Sequence, residues 1–539
     1  MTSVDASVLS QGEPLSPASA AHNRRLSILL SMAMFVLVVD TSLMNVSISA
    51  VSRDLNMTVS GVQSAIALEA LVSAAFILIS SKLGDLFGRK RAYVLGLLGY
   101  AAGAGAMMFA QSQLAIIIFW AIIGGLGASL LLPAMQSLVH GNFDGEERRK
   151  AYAQVGASAA IATAVGPLLG GFITTYLSWR VGFLLELILI AVVLSGLGLV
   201  KDVPYTGSRK LDPIGSLLSV VGMGGIVLGI LVWQEGGESV AALLAVGAFA
   251  LGSLVWWLVR RKRQEKPTLL DPGLFESKYF RLGITQQTFQ QIALGGMMIA
   301  LPIYLQMVLE YNALGAGLSL APLSLSMFAV ALLAGKRAGN RRPANIVLVG
   351  FVLLTVAVGT LLPIVPRADS GWDLAISLVV AGCGLGLLVS QLNNYTLSPV
   401  SEERASEAAG VNSAGGSFGL SLGLALSGAL MLATLAFSFT DMAEASDVLA
   451  PEQQQQVATA LEEDAEIMTN TQLQEQLAGQ TEEVQNEIIR INNETRDLSL
   501  QVALLVPLVV GLLGIVTALR MRRLPDPEPS EAAESLLVG

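Results

Sequence analysis

The sequence is poor in what marks a soluble enzyme. Of its 539 residues only 14% are charged, against roughly 25% in an ordinary soluble domain. That shortfall excludes a disordered chain, a nucleic-acid binder and most soluble multidomain enzymes. The lone cysteine, Cys383, excludes an internal disulfide. The two histidines, His22 and His140, fall at helix ends, and neither a coupling role nor a metal site is expected of them. Net charge is −9, which offers no basic surface for a polyanion. There is no Gly-x-x-x-x-Gly-Lys-Ser/Thr loop, so direct drive by ATP is not expected. The polar first 23 residues lack the layout of a cleaved signal peptide. Gly415-Gly416-Ser417-Phe418-Gly419 matches a hydrolase nucleophile elbow. It lies inside an apolar run with no histidine placed as a base, so it reads as close helix packing, and no enzyme is expected.

What the chain has instead is apolar length. It is 53% hydrophobic, with a mean hydropathy of +0.64. Runs able to cross the hydrocarbon, which takes about 20 residues, lie near 26–48, 61–81, 93–110, 114–139, 151–176, 181–200 and 213–233. Others lie near 239–259, 282–308, 314–335, 344–364, 374–398, 408–437 and 499–519. The runs are continuous rather than alternating, which implies helices and not barrel strands. The expected fold is an all-α integral membrane protein with fourteen crossing helices. With the N-terminus inside, 27 of the 32 Lys and Arg face the cytoplasm, and Arg53, Arg180, Arg367, Arg490 and Arg496 remain outside. Both termini are then expected to be cytoplasmic, with the cell's inner, plasma membrane as the expected location.

Three acids lie inside the apolar runs: Asp40 in helix 1, Glu69 in helix 2 and Glu186 in helix 6. An ionisable group in a membrane is costly and is a functional candidate by default. Glu186 sits about 9 Å from the outer end of its helix, at 1.5 Å per residue, within reach of water by snorkelling. Gln286, Gln287, Gln290 and Gln291 start helix 9, and Gln391, Asn393 and Asn394 lie in helix 12. Together they are candidates to line a polar cavity, and Trp120 is a candidate substrate platform with packing as the commoner role.

Two short basic loops repeat. Ser81-Lys-Leu-Gly84-Asp85-Leu-Phe-Gly88-Arg89-Lys90-Arg91 joins helices 2 and 3, and Gly335-Lys336-Arg337-Ala-Gly339-Asn-Arg341-Arg342 joins helices 10 and 11. They lie eight helices apart. If helices 7 and 8 are an insertion, the chain is two six-helix bundles plus a linker pair, and internal repeats of this kind mark transporters. The expected divisions are a disordered tail at 1–23, a first bundle at 24–200, a linker unit at 201–281, helices 9–13 at 282–437, an acidic outer loop at 438–497, helix 14 at 498–520 and a tail at 521–539. The outer loop holds fourteen acids and two basic residues, a net −12, so the rest of the chain sums to +3. Val484, Ile488 and Ile491 give it a helical spacing. The loop is expected to be a helical cap able to meet an extracellular partner, with a solvated acidic spacer as the other reading.

These motifs resemble the major facilitator superfamily, specifically its fourteen-helix drug:proton antiporter branch, over about 24–437 and helix 14. Gly84-Asp85-Leu-Phe-Gly88-Arg89-Lys90-Arg91 is similar to the family's signature loop, which implies a cytoplasmic gate. Ala162-x-x-x-Gly166-Pro167-x-x-Gly170-Gly171 resembles the antiporter motif of helix 5, with Ala162 where a glycine is usual. Asp40-Thr41, Ser178-Trp179-Arg180, Leu305-Gln306 and Gly317-x-x-x-x-Pro322 resemble the family at helix 1, the start of helix 6 and the helix 9–10 region. The chain departs from the family at Ala121, where helix 4 usually carries an arginine linked to proton coupling, and at Glu69 and Glu186, where an aromatic and an asparagine are usual. One buried cation is lost and two buried acids are gained, which makes these acids candidates to carry a proton. The resemblance implies a secondary active exporter of amphipathic or cationic small molecules, a multidrug-efflux type working by alternating access. It implies no cofactor, the proton gradient as energy source, and a monomer in contact with membrane lipid. An exporter of an envelope lipid or siderophore-like metabolite, or a non-transporting sensor or scaffold, are the other readings.

Overall fold

The computed structural model describes residues 17–143, 145–202, 211–234, 239–337, 342–400, 402–451, 454 and 469–525. Among these residues there is no strand. Helices of the first bundle are α1 (Pro17–Leu55), α2 (Val59–Phe87), α3 (Arg89–Met107), α4 (Gln113–Asn142), α5 (Gly145–Tyr176) and α6 (Trp179–Ser195). The linker pair is α7 (Pro213–Gln234) and α8 (Val240–Arg263). Helices of the second bundle are α9 (Lys278–Ile303), α10 (Ala313–Arg337), α11 (Pro343–Ile364), α12 (Ala375–Leu397), α13 (Glu402–Glu444) and α14 (Glu482–Arg522). All but α3 are long and apolar enough to cross a membrane. The first turn of α3 carries Arg89, Lys90 and Arg91 and the rest of it is apolar. Helices suit this solvent because every interior N–H and C=O is satisfied within the segment.

Local chemistry sets the ends. Thr58, Ser178 and Ser277 start α2, α6 and α9 with side chains that accept backbone N–H groups of Gly61, Arg180 and Phe280. Small residues set the packing. A methyl on Gly96 would sit 2.9 Å from the Leu131 nitrogen, and one on Gly127 2.7 Å from that of Tyr100, so α3 and α4 touch backbone to backbone. The bundles repeat one another with an offset of eight helices. The α1–α5, α2–α4, α3–α4 and α1–α6 packings recur as α9–α13, α10–α12, α11–α12 and α9–α14. The two seams between bundles, α5–α10 and α2–α13, exchange under the same offset. The linker pair packs on itself, and α7 lies against both α2 and α13.

Three expectations need correction. Helix α1 begins at Pro17 and α14 runs to Arg522, so residues 17–23 and 521–522 are helical rather than disordered. The remaining parts of those tails, 1–16 and 526–539, lie outside the described residues. Hydropathy sees only the part of a helix in hydrocarbon, about 30 Å. Yet α13 has 43 residues, about 64 Å at 1.5 Å each, and continues past the membrane. The amphipathic helix expected around Val484 is therefore not a short separate piece but the first turns of α14.

The described part of 438–497 is a folded cap on the second bundle, not a spacer. Val484, Ile488 and Ile491 pack on Phe439, Ala443 and Leu449. A short helix, Asn470–Gln476, starts with a capping box of Thr469 and Gln472. Arg496, 1% exposed, ties the cap down by donating to the Met307 carbonyl at 3.1 Å and to Asn470 Oδ1 at 2.8 Å. Thr471 donates its hydroxyl to Glu310 at 2.6 Å. Gln454 is described, whereas Gln453, Gln455 and Gln456 are not.

Candidate functional site

The three buried acids converge in the half of the first bundle away from the chain ends. Asp40 on α1 is 1% exposed, Glu186 on α6 1% and Glu69 on α2 8%. Asp40 Oδ2 accepts from the Tyr100 hydroxyl on α3, and from Trp120 Nε1 on α4 at 2.8 Å. The Asp40 and Glu186 carboxyls lie within hydrogen-bonding reach of each other. Two carboxyls in that contact form a hydrogen bond only when one of them holds a proton. Among the described residues, no N–H or other hydroxyl reaches either Glu186 oxygen. Glu186 therefore does not snorkel outward; α6 packs along α1 and delivers it to Asp40. Glu69, on α2, is the third acid buried in this dry interior.

Helix α4 makes this convergence possible. It is π-helical from Ile116 to Gly124, a local widening that often marks functional sites. Trp120 and Ala121 lie in this stretch and are buried. Trp120 does more than pack: its indole N–H donates to Asp40. Ala121 brings no cation to the acids. Tyr100 carried no signal in the sequence beyond being a polar-tipped aromatic in an apolar run, and its role was not foreseen.

A cavity of about 350 Å³ lies between the bundles, in the half nearer the chain ends. It is lined by α1, α4, α5, α9, α12 and α13. Of the amides expected there, Gln287, Gln291 and Asn393 line it. Gln286 does not: it is fully buried and donates to the Gly514 carbonyl and Thr517 Oγ1 of α14, at 3.2 and 2.8 Å. Gln290 and Gln391 are buried outside the lining, at 2% and 0% exposure. The side chain of Asn394 lies outside the described residues. None of the three acids lines the cavity, whose edge at Met34 lies about 9 Å along α1 from Asp40.

The basic loop between α2 and α3 is a tight knot. Arg89 pairs with Asp85 at 3.0 Å. Gly88 has φ +102°, a conformation only glycine adopts freely. Lys90 donates its backbone N–H to Asp202 at 3.0 Å and its ammonium to the Val200 carbonyl at 2.7 Å. The loop thus fastens α2 and α3 to the segment leaving α6, and Gly84 faces Ala92 within it. On the same face, Asp271 of the α8–α9 connection meets Lys262 and Arg404, each at 3.2 Å. Burial alone would raise the Asp271 carboxyl; the Gly273 N–H and the two cations outweigh it and hold it below its ordinary value.

At the opposite end the bundles close on small residues. A methyl on Gly166 or Gly170 would strike Ser42 or Leu43 of α1, and one on Gly171 would come 2.5 Å from the Ala313 carbonyl of α10. Gly317 of α10 faces the Pro167 carbonyl with no room for a side chain. Ala162 is fully buried on the same helix. The Leu314 N–H donates to Thr175 at 3.0 Å. Beside this seam, Gln306 in the π-helical turn Tyr304–Val308, which continues α9, accepts from the Ser49 N–H at 3.2 Å and its hydroxyl at 2.8 Å. The helix 5 motif and the Gly317–Pro322 motif are therefore two sides of one contact, which closes the cavity at the end opposite its lining.

Comparison with known proteins agrees with this architecture. The sequence model of the Major Facilitator Superfamily matches residues 30–214 and 213–424. The probable actinorhodin transporter of Streptomyces coelicolor is 27% identical over 408 residues, 74% of this chain and 70% of that protein. Multidrug resistance protein Stp of Mycobacterium tuberculosis is 28% identical, covering 75% of each chain. The probable multidrug resistance protein EmrY of Escherichia coli is 30% identical over 62% of this chain and 65% of its own length. Among solved structures, a bacterial homolog of the human lysosomal transporter Spinster superposes with TM-score 0.60 at 11% identity, covering 95% of this chain and 99% of that one.

Proposed function

This chain belongs to the major facilitator superfamily, and from that premise we propose that it is a proton-coupled exporter of small amphipathic molecules. The observation that carries the reading is the separation of two sites within one bundle pair. One is a dry cluster of Asp40, Glu186 and Glu69 held by Tyr100 and Trp120. The other is a cavity between the bundles large enough for a small organic molecule. Both touch α1 and α4, so a proton entering the cluster and a rearrangement of the cavity share two helices. In this reading the two bundles rock about the cavity. The α5–α10 seam opens in one state and the Asp85–Arg89 knot serves as the gate in the other. The excess of Lys and Arg at the chain-end face supports a cytoplasmic position for that face, and with it a location in the inner membrane. Names of the relatives favour efflux of drug-like compounds over uptake.

Membrane vesicles with an imposed pH gradient test this. The doubly neutralised variant Asp40→Asn, Glu186→Gln is expected to lose pH-driven flux and to retain exchange of labelled for unlabelled substrate without a gradient. Adding Glu69→Gln is expected to deepen the loss. Full pH-driven flux in the triple variant overturns the assignment of the acids.

A further inference from the structure

The chemistry of the cavity restricts what it takes, on the reading that it is the substrate site of an exporter. Among the described residues, no Asp, Glu, Lys, Arg or His lines it. Its walls are apolar at Met34, Met135, Val139, Val155 and Leu397. Its polar groups are amides, hydroxyls and one phenol, and Tyr152 already donates its hydroxyl to the Gln136 carbonyl at 3.1 Å.

Two of the amides are incompletely satisfied. Asn412, 5% exposed, donates its Nδ2 to Asn393 Oδ1 at 2.7 Å. Its own Oδ1 is buried and accepts nothing from the described residues, and the same holds for Oε1 of Gln291. Buried polar atoms of native proteins almost always find a partner; a turn of the side chain brings such an acceptor to the cavity, where a ligand's donor satisfies it. A permanent cation would find no counter-charge here and would surrender its hydration uncompensated. The acids that would attract it sit elsewhere, occupied with one another and with Tyr100 and Trp120.

We propose that the cavity binds uncharged amphipathic molecules that donate hydroxyl or amide hydrogens to Gln291 and Asn412, and that it discriminates against cations. Specificity of this kind is steep, because a site built around hydrogen bonds rejects a ligand that leaves its buried groups unpaired. The acids then bind protons only, and substrate and proton do not compete for one carboxylate.

The full chain in liposomes, under an imposed pH gradient, tests this with four probes. Chloramphenicol and hydrocortisone are neutral donors; tetraphenylphosphonium and ethidium are cations. The wild type is expected to move the neutral pair at least tenfold faster than the cations. Gln291→Glu puts a carboxylate in the wall, and is expected to lower neutral flux and raise cation flux by tenfold or more. Asn412→Asp is expected to do the same, and equilibrium binding of each labelled probe to the purified variants reads the switch apart from turnover. Faster cation flux in the wild type, or no change of preference in either variant, overturns the substrate class and leaves the exporter reading standing. Movement of none of the four under the gradient overturns the exporter reading on which this rests.

Discussion

Asp40 shows what a single residue's surroundings add to its identity. An acid in an apolar run announces itself in the sequence, and so do Glu69 and Glu186. Its partners do not. Trp120 and Tyr100 are ordinary aromatics in apolar runs, and only the packing of α3 and α4 on α1 aims them at one carboxylate oxygen. A hydrogen bond to a charged acceptor is worth about 1.5–3 kcal/mol. Trp120→Phe keeps the ring and removes the donor, and Tyr100→Phe does likewise. Each is expected to reduce pH-driven flux about tenfold while leaving substrate exchange without a gradient unchanged, since neither residue lines the cavity. Equal losses in both assays would mean that they only support the fold. The glutamines give the converse lesson. Gln286 and Gln287 are neighbours with one composition, yet a 100° step around α9 sends the first into α14 and the second to the cavity. Which residues faced inward was not legible without knowing which helices flank α9.

At the scale of the element, hydropathy marked all fourteen long helices, thirteen of which are long and apolar enough to cross a membrane among the described residues, and erred at their ends. The ends depend on polar contacts that carry no hydropathy signal, such as Arg496 on Met307 and the cap core of Phe439 and Ile488. Turn chemistry was better legible. Gly88 falls in the short basic loop that the sequence shows between helices 2 and 3, and it has φ +102° there. Adding a methyl there places Cβ 2.8 Å from Asp202 Oδ2 and forces an L-residue into a left-handed conformation. The conformational part alone costs about 1–3 kcal/mol. Gly88→Ala is expected to lower the thermal midpoint of the purified protein. Adding Asp202→Ala is expected to recover only part of the loss, because it removes the clash but also the acceptor of the Lys90 N–H, and leaves the backbone strain. Full recovery would show that φ at this position is not strained.

For the whole molecule, the repeated basic loops foretold two equivalent bundles, and the structure adds how they meet. The α5–α10 and α2–α13 seams are images of one another under the eight-helix offset. The first has no slack, because Gly171 and Gly317 bring backbone against backbone. Closure at that end therefore depends on the absence of a side chain at position 317. Gly317→Val drives a branched group into the Pro167 carbonyl and disfavours the arrangement described here, while an arrangement with this seam parted accommodates it. A bias of about 1.4 kcal/mol changes the population ratio tenfold. The lone cysteine makes the test simple. In a Cys383→Ala background, Ser413→Cys places one thiol in the cavity wall. Vesicles exposing the chain-end face are then treated with a membrane-impermeant maleimide. Gly317→Val is expected to slow labelling of that thiol about tenfold, because the cavity turns away from this face. An unchanged rate, in protein that still folds and elutes as a single species, would show that the α5–α10 contact does not govern which side the cavity faces.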